Sequence, residues 1–140
     1  MPGGGMDFAS VNWIAIIVCV VLNFAVGFVY YSPKVFFTVW WRALGKGDTE
    51  MGNAGAMVWG LTALAAVIEA VAVSFMLTAM GSTTIPSGLL AGFMIWFGFV
   101  ATTNLVNNLF AGRPLKVWAI ESGNHLIYLL ICGAVLSVWR

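Results

Sequence analysis

The sequence predicts an all-α, polytopic membrane protein: four transmembrane helices, with a short interfacial amphipathic helix after the first. Three observations carry that expectation. Hydrophobic residues make up 61% of the 140-residue chain and charged residues only 8%, whereas ordinary soluble domains are roughly a quarter charged. Mean hydropathy is +0.98. Four apolar stretches, 11–31, 54–80, 87–109 and 115–139, each reach the roughly 20 residues that a helix needs to cross a hydrocarbon core. Residues 11–140 therefore read as one four-helix transmembrane domain, and residues 1–10 as a short extracytoplasmic segment.

The first span opens with Asn12, which suits a helix cap, and Trp13, whose indole favours the membrane–water interface. It does not read as a cleaved leader, because no basic side chain precedes it and no small-residue cleavage site follows. Met1–Gly5 reads as dispensable, with Met6 an alternative start. Along the span Cys19, Asn23, Gly27 and Tyr30 share one small or polar face, which suits helix contact better than lipid contact. Cys19 and Cys132 fall at similar depths, and packing as small apolar residues is favoured over a disulfide between them.

Tyr30-Tyr31-Ser32-Pro33 ends the span, with Ser32 placed to cap a new helix and Pro33 to occupy its first position. From Lys34 to Leu44, helical spacing gathers Phe36, Val39, Trp40 and Leu44, and Gly45 and Gly47 stop the run. This is the pattern of an amphipathic helix lying in the interface, with Trp40 and Trp41 at headgroup level. Residues 46–53, with Asp48 and Glu50, form the solvated loop.

The second span carries a single charge, Glu69, and a ridge of Ala66, Ala70 and Ser74 that lets another helix approach closely. Pro86 starts the third span, which is apolar and aromatic through Phe99 and then turns polar. There Asn104, Asn107 and Asn108 lie on one face. After the turn at Gly112-Arg113-Pro114, the fourth span presents Glu121, Asn124, His125 and Tyr128 at offsets i, i+3, i+4 and i+7, again on one face. Trp13, Tyr30, Tyr31, Trp40, Trp41, Trp118 and Trp139 are the expected interfacial anchors.

Lysine and arginine set the expected orientation. The first and third loops and their flanks hold Lys34, Arg42, Lys46, Arg113 and Lys116, while the opposite side holds only Arg140. The positive-inside rule then puts both termini outside and loops 32–53 and 110–114 in the cytoplasm. At a rise of 1.5 Å per residue, Asn23 and His125 lie roughly 12 Å from the cytoplasmic ends of their helices, Asn104 about 8 Å and Glu69 about 20 Å. A charge at the bilayer centre costs about 2.5–3.5 kcal/mol on insertion scales. Glu69, Glu121, His125, Asn124, Asn104, Asn107, Asn108, Asn23 and Tyr128 are therefore expected to converge on an interior pocket. It opens toward the cytoplasm, with Glu69 at its blind end. Taken singly, each polar residue reads more readily as interhelical glue, worth about 0.6–2 kcal/mol.

Other chemistry is poorly represented. One histidine and two buried carboxylates make a weak metal motif, the cysteines lack zinc spacing, and no nucleophile elbow, phosphate loop or dinucleotide fingerprint occurs. A net charge of +1 argues against a nucleic-acid surface. No cofactor or metal is called for, and an enzyme is the least favoured reading.

Asn12-Trp13, Tyr30-Tyr31-Ser32-Pro33, Gly112-Arg113-Pro114-Leu115-Lys116 and Asn124-His125-Leu126 together resemble the small bacterial membrane family catalogued as domain of unknown function 1761. The resemblance covers nearly the whole chain from Met6, and the two proline turns are its most specific parts. Family members often carry Trp where this chain has Tyr30, which keeps the interfacial role. The resemblance implies four helices and a bacterial cytoplasmic membrane, and brings no activity or catalytic residue with it. Two function classes follow from the residues: a small transport or proton-linked protein, or a non-catalytic accessory or structural subunit of a larger membrane complex. Its expected partners are the bilayer, further copies of itself or other membrane subunits, and a small solute or proton.

Overall fold

Asn12 sets the start of the first long helix, its Oδ1 accepting from the Ala15 N–H at 3.1 Å and so satisfying a donor that the helix start leaves over. That helix, α1, runs Trp13–Tyr30, after a single 3₁₀ turn at Phe8–Ser10. The computed structural model describes residues 8–32, 34–46 and 55–139. The expectations placed on residues 1–7, Pro33, loop residues 47–53, Ala54 and Arg140 lie outside the described residues. The remaining elements are α2 (Phe37–Ala43), α3 (Ala56–Met80), α4 (Ile85–Ile95), a π-helical segment (Trp96–Ala101), α5 (Thr102–Phe110) and α6 (Leu115–Val138). Among the described residues there is no strand, and four helices are long and apolar enough to cross a membrane: α1, α3, the continuous run Ile85–Phe110, and α6.

Two boundaries differ from expectation for local reasons. The third span begins at Ile85 because Thr84 and Ser87 form a capping box: Thr84 Oγ1 accepts from the Ser87 N–H and Ser87 Oγ from the Thr84 N–H, each at 3.2 Å. Regular helix in α2 begins at Phe37 rather than at Lys34. The preceding residues form a turn in which the Ser32 carbonyl accepts from Val35 and Phe37 at 3.0 and 3.1 Å.

The third span is also not uniform. At Trp96–Ala101 it widens into a π-helical segment, a form that appears mostly as single turns inside α-helices and often at functional sites. Two side chains bond carbonyls within it: Trp118 Nε1 donates to Ala101 O at 2.9 Å and Thr102 Oγ1 to Gly98 O at 2.9 Å.

α6 is the central helix, packing against α1, α2, α3, α4 and α5. Cys19 lies beside Cys132, and Tyr30 bonds at Ile120, so α1 and α6 run antiparallel. The closest approach is between α4 and α6. A Cβ on Gly88 would run into the Gly133 carbonyl, one on Gly133 into the Gly88 carbonyl, and one on Gly92 into the Leu129 carbonyl. Gly88 and Gly92 are thus the small-xxx-small pair that brings two backbones together. The Ala66 and Ala70 ridge is used within the chain as well, both residues being buried in the same core as Ile16, Val73, Leu77, Leu129 and Leu136. At that end Ser82 Oγ lies 2.8 Å from both Ser87 Oγ and Ser137 Oγ. Ile14, Ile17, Val21, Leu61, Leu64, Ile68, Leu90 and Met94 point outward and are exposed, as suits side chains facing lipid.

Candidate functional site: a polar network beside an aromatic cavity

The polar residues of α6 do not face a single pocket. Their offsets spread over about 100° of the helix, and on a helix ringed by neighbours that arc meets more than one of them. Glu121 turns toward α2 and α5. Its Oε2 accepts from the Trp40 indole N–H at 3.0 Å, and its Oε1 from Asn108 Nδ2 at 3.4 Å. Asn108, almost fully buried, also donates to the backbone and side-chain oxygens of Asn104 at 2.8 and 3.0 Å. Asn104 Nδ2 donates to Ser122 Oγ at 3.0 Å, while the Ser122 carbonyl accepts from Trp96 Nε1 at 2.8 Å. Glu121, Asn108, Asn104 and Ser122 thus form one chain of hydrogen bonds joining α2, α5 and α6.

Ser122 and Trp96 are members of this network that sequence reasoning missed. A serine beside Gly123 reads as a small packing residue, and nothing in the sequence reveals that its carbonyl and hydroxyl both receive bonds. Asn108 Oδ1 is buried without a hydrogen-bond partner. Buried polar atoms are usually bonded, so this oxygen is a spare acceptor inside the network.

Asn124 turns the other way, into a half-open cavity of about 440 Å³ between α1, α2, α3 and α6. Asn23 and Gly27 line it from α1 and Thr62 from α3. Six aromatic rings complete the wall: Phe24, Phe28, Tyr31, Phe37, Trp40 and Trp59. Asn124 Oδ1 is buried and unpartnered. Trp40 belongs to both features, lining the cavity with its ring and bonding Glu121 through its indole nitrogen.

Glu69 is not part of the cavity wall. It lies on α3 about 10 Å beyond Thr62 at 1.5 Å per residue, near Tyr128 and Cys132, and its Oε1 is buried without a partner. Tyr128 is buried, and its hydroxyl donates to the Ala66 carbonyl at 2.7 Å, a position between Thr62 and Glu69 along α3. His125 departs furthest from the expected convergence. It is exposed and lines an open outer groove with Phe99, Val100, Thr103, Asn104 and Asn107. The Glu121 oxygens are directed at Trp40 and Asn108 rather than at His125, one turn further along α6.

The expected anchors divide in the same way. Trp13 and Trp139 stand exposed at the terminal end of the bundle. Trp118 and Trp40 instead stitch the fold through their indole N–H groups. Tyr30 donates its hydroxyl to the Ile120 carbonyl at 2.6 Å, seated against Gly123. Tyr31 packs edge-on against Trp40, and Trp41 stacks on Phe37 with Lys46 Nζ 4.7 Å from its ring centroid. Among the described residues no three His, Cys, Asp or Glu side chains gather as metal ligands would.

A family model described as protein of unknown function (DUF1761) matches residues 14–137, which takes in α2 to α5 whole and all but one terminal residue of α1 and of α6. No curated protein and no solved structure matches the chain.

Proposed function

We propose, from the premise that the chain belongs to this family of proteins of unknown function, that it is a small transport protein whose solute enters the aromatic cavity. The observation that carries the reading is the cavity itself. Its volume of about 440 Å³ falls within the roughly 300–1,000 Å³ of small-molecule sites, which combine apolar and aromatic walls with a few placed polar groups. Asn23, Thr62 and Asn124 are those polar groups here. With the first and third loops on the cytoplasmic side, as their lysines and arginines favour, the cavity opens toward the cytoplasm. Glu69, deeper in the bundle and unpartnered at Oε1, is the group on which a coupling proton would sit, since ionisable residues inside spans commonly mark proton and ion pathways.

The test is pH-driven flux of candidate solutes into proteoliposomes. Flux that Glu69→Gln abolishes and Asn124→Leu reduces supports the reading, and flux indifferent to both variants overturns it. Purification in mild detergent decides against the remaining alternative: a stoichiometric partner protein would replace transport with an accessory role in a larger complex.

A further inference from the structure

The composition of the cavity wall narrows the chemistry of its occupant. Phe24 and Phe28, one turn apart on α1, flank Trp59 of α3 with ring centroids 6.2 and 5.9 Å away, Phe28 stacked on it at 30°. On the α2 side, Trp40 meets Tyr31 edge-on at 5.2 Å and Phe37 at 6.0 Å. Among the described residues no lysine, arginine or histidine lines the space. Aromatic faces are negative, and they attract a cation that comes within about 6 Å of the ring centroid.

One feature at the wall reinforces that field. Glu121 stands behind Trp40 and accepts its indole N–H, which leaves the ring richer in electron density. Just outside the cavity Lys46 Nζ lies 4.7 Å from the Trp41 ring centroid, so a neighbouring ring of the same cluster already holds a cation in this way. A groove on the other side of α1 gives the contrast. The described residues that line it are Ala25, Val26, Val29, Val35 and Ile127, with one aromatic among them, Tyr30. The cavity is built differently. An alkylated ammonium suits it, because its charge is satisfied by ring faces and its methyl groups need no hydrogen-bond acceptors, so the three polar groups remain for the rest of the molecule.

We propose that the cavity between α1, α2, α3 and α6 is an aromatic cage for an alkylated ammonium group. This names the solute class for the transport reading and rests on that reading for movement, though not for binding. Such a group comes either from a choline lipid headgroup or from a free quaternary ammonium solute.

Calorimetric titration of the full chain in nanodiscs tests the proposal. In discs of phosphatidylglycerol alone, choline should bind saturably, and its neutral isostere 3,3-dimethylbutan-1-ol at least 10-fold more weakly, because the isostere forfeits every cation–π contact. Trp59→Leu should weaken choline at least 10-fold and Trp59→Phe much less. Trp59 is 46% exposed, so both variants should fold, as helical circular dichroism and gel filtration would verify. Loss of choline binding in phosphatidylcholine discs identifies the lipid headgroup as the source, and its persistence identifies the free solute. Equal affinity for choline and its isostere, or an unaltered Trp59→Leu variant, overturns the cage. Binding without flux removes the transport reading and leaves the cage standing. Flux of a neutral solute with which choline does not compete does the reverse.

Discussion

The indole nitrogen of Trp40 and the carboxylate of Glu121 meet at 3.0 Å, so the short helix outside the spans is tied to a charge on the central one. A hydrogen bond to a charged group is worth about 1.5–3 kcal/mol. Trp40→Phe keeps a smaller aromatic ring and removes the donor. It should lower unfolding stability in detergent by about that amount and speed amide exchange across Phe37–Ala43, leaving exchange in α6 little changed. Glu121→Gln keeps an acceptor and should cost less. Hydrogen-exchange mass spectrometry separates the two variants, and protection of α2 that survives Trp40→Phe would show that packing alone holds it.

The crossing of α4 and α6 makes a sharper prediction. Gly88 and Gly133 lie so close that a Cβ on either would overlap the other helix's carbonyl. Gly88→Ala should therefore force the helices apart at a cost of at least about 1–3 kcal/mol. Gly60 has nothing within 4 Å of its Cβ position, and Gly60→Ala should stabilise α3 by roughly 0.5–1 kcal/mol through helix propensity. Thermal melts of the two alanine variants should move in opposite directions.

The contrast between these glycines shows what was legible in the sequence. The lengths and apolarity of the four spans follow from the bilayer alone, and the helices lie within two residues of the positions that composition marks. In the sequence the ridge at Ala66, Ala70 and Ser74 is singled out and Gly88-x-x-x-Gly92 passed over, since as a string of letters it looks no better. Only the packing shows which pair lets backbones touch. The π-helical turn at Trp96–Ala101 has no sequence signature, and the bond its last carbonyl accepts comes from Trp118 on α6, which spacing along the third span does not reveal. The spacing of Glu121, Asn124, His125 and Tyr128 puts them within one arc of α6. How that arc is divided is not legible in the spacing, since whether Asn124 and His125 meet the same neighbour depends on where α1 and α5 stand around α6.

Cys19 and Cys132 are both free and fully buried, side by side between α1 and α6. Burial shields a thiol from reagent whatever its reactivity. Neither should react with a membrane-permeant maleimide in the folded protein, and both should label once it is denatured. Rapid labelling of Cys19 under native conditions would show that the seam between α1 and α6 opens, which the tight bond from Tyr30 to the Ile120 carbonyl argues against.

Glu69 yields a prediction that separates stability from activity. Its Oε1 is buried and unpartnered, its near neighbours include Tyr128 and Cys132, and the surrounding core is apolar. An unpartnered buried acceptor costs about 1–3 kcal/mol. Glu69→Leu replaces it with an apolar side chain of similar size and should raise the melting temperature in detergent. Glu69→Gln retains a polar group at the same depth and should leave it nearly unchanged. If the carboxylate is kept for moving a proton, both variants lose flux although only one gains stability, the trade expected where a destabilising residue serves function. A lower melting temperature for Glu69→Leu would assign the carboxylate to structure instead, as an acceptor that holds the helices together.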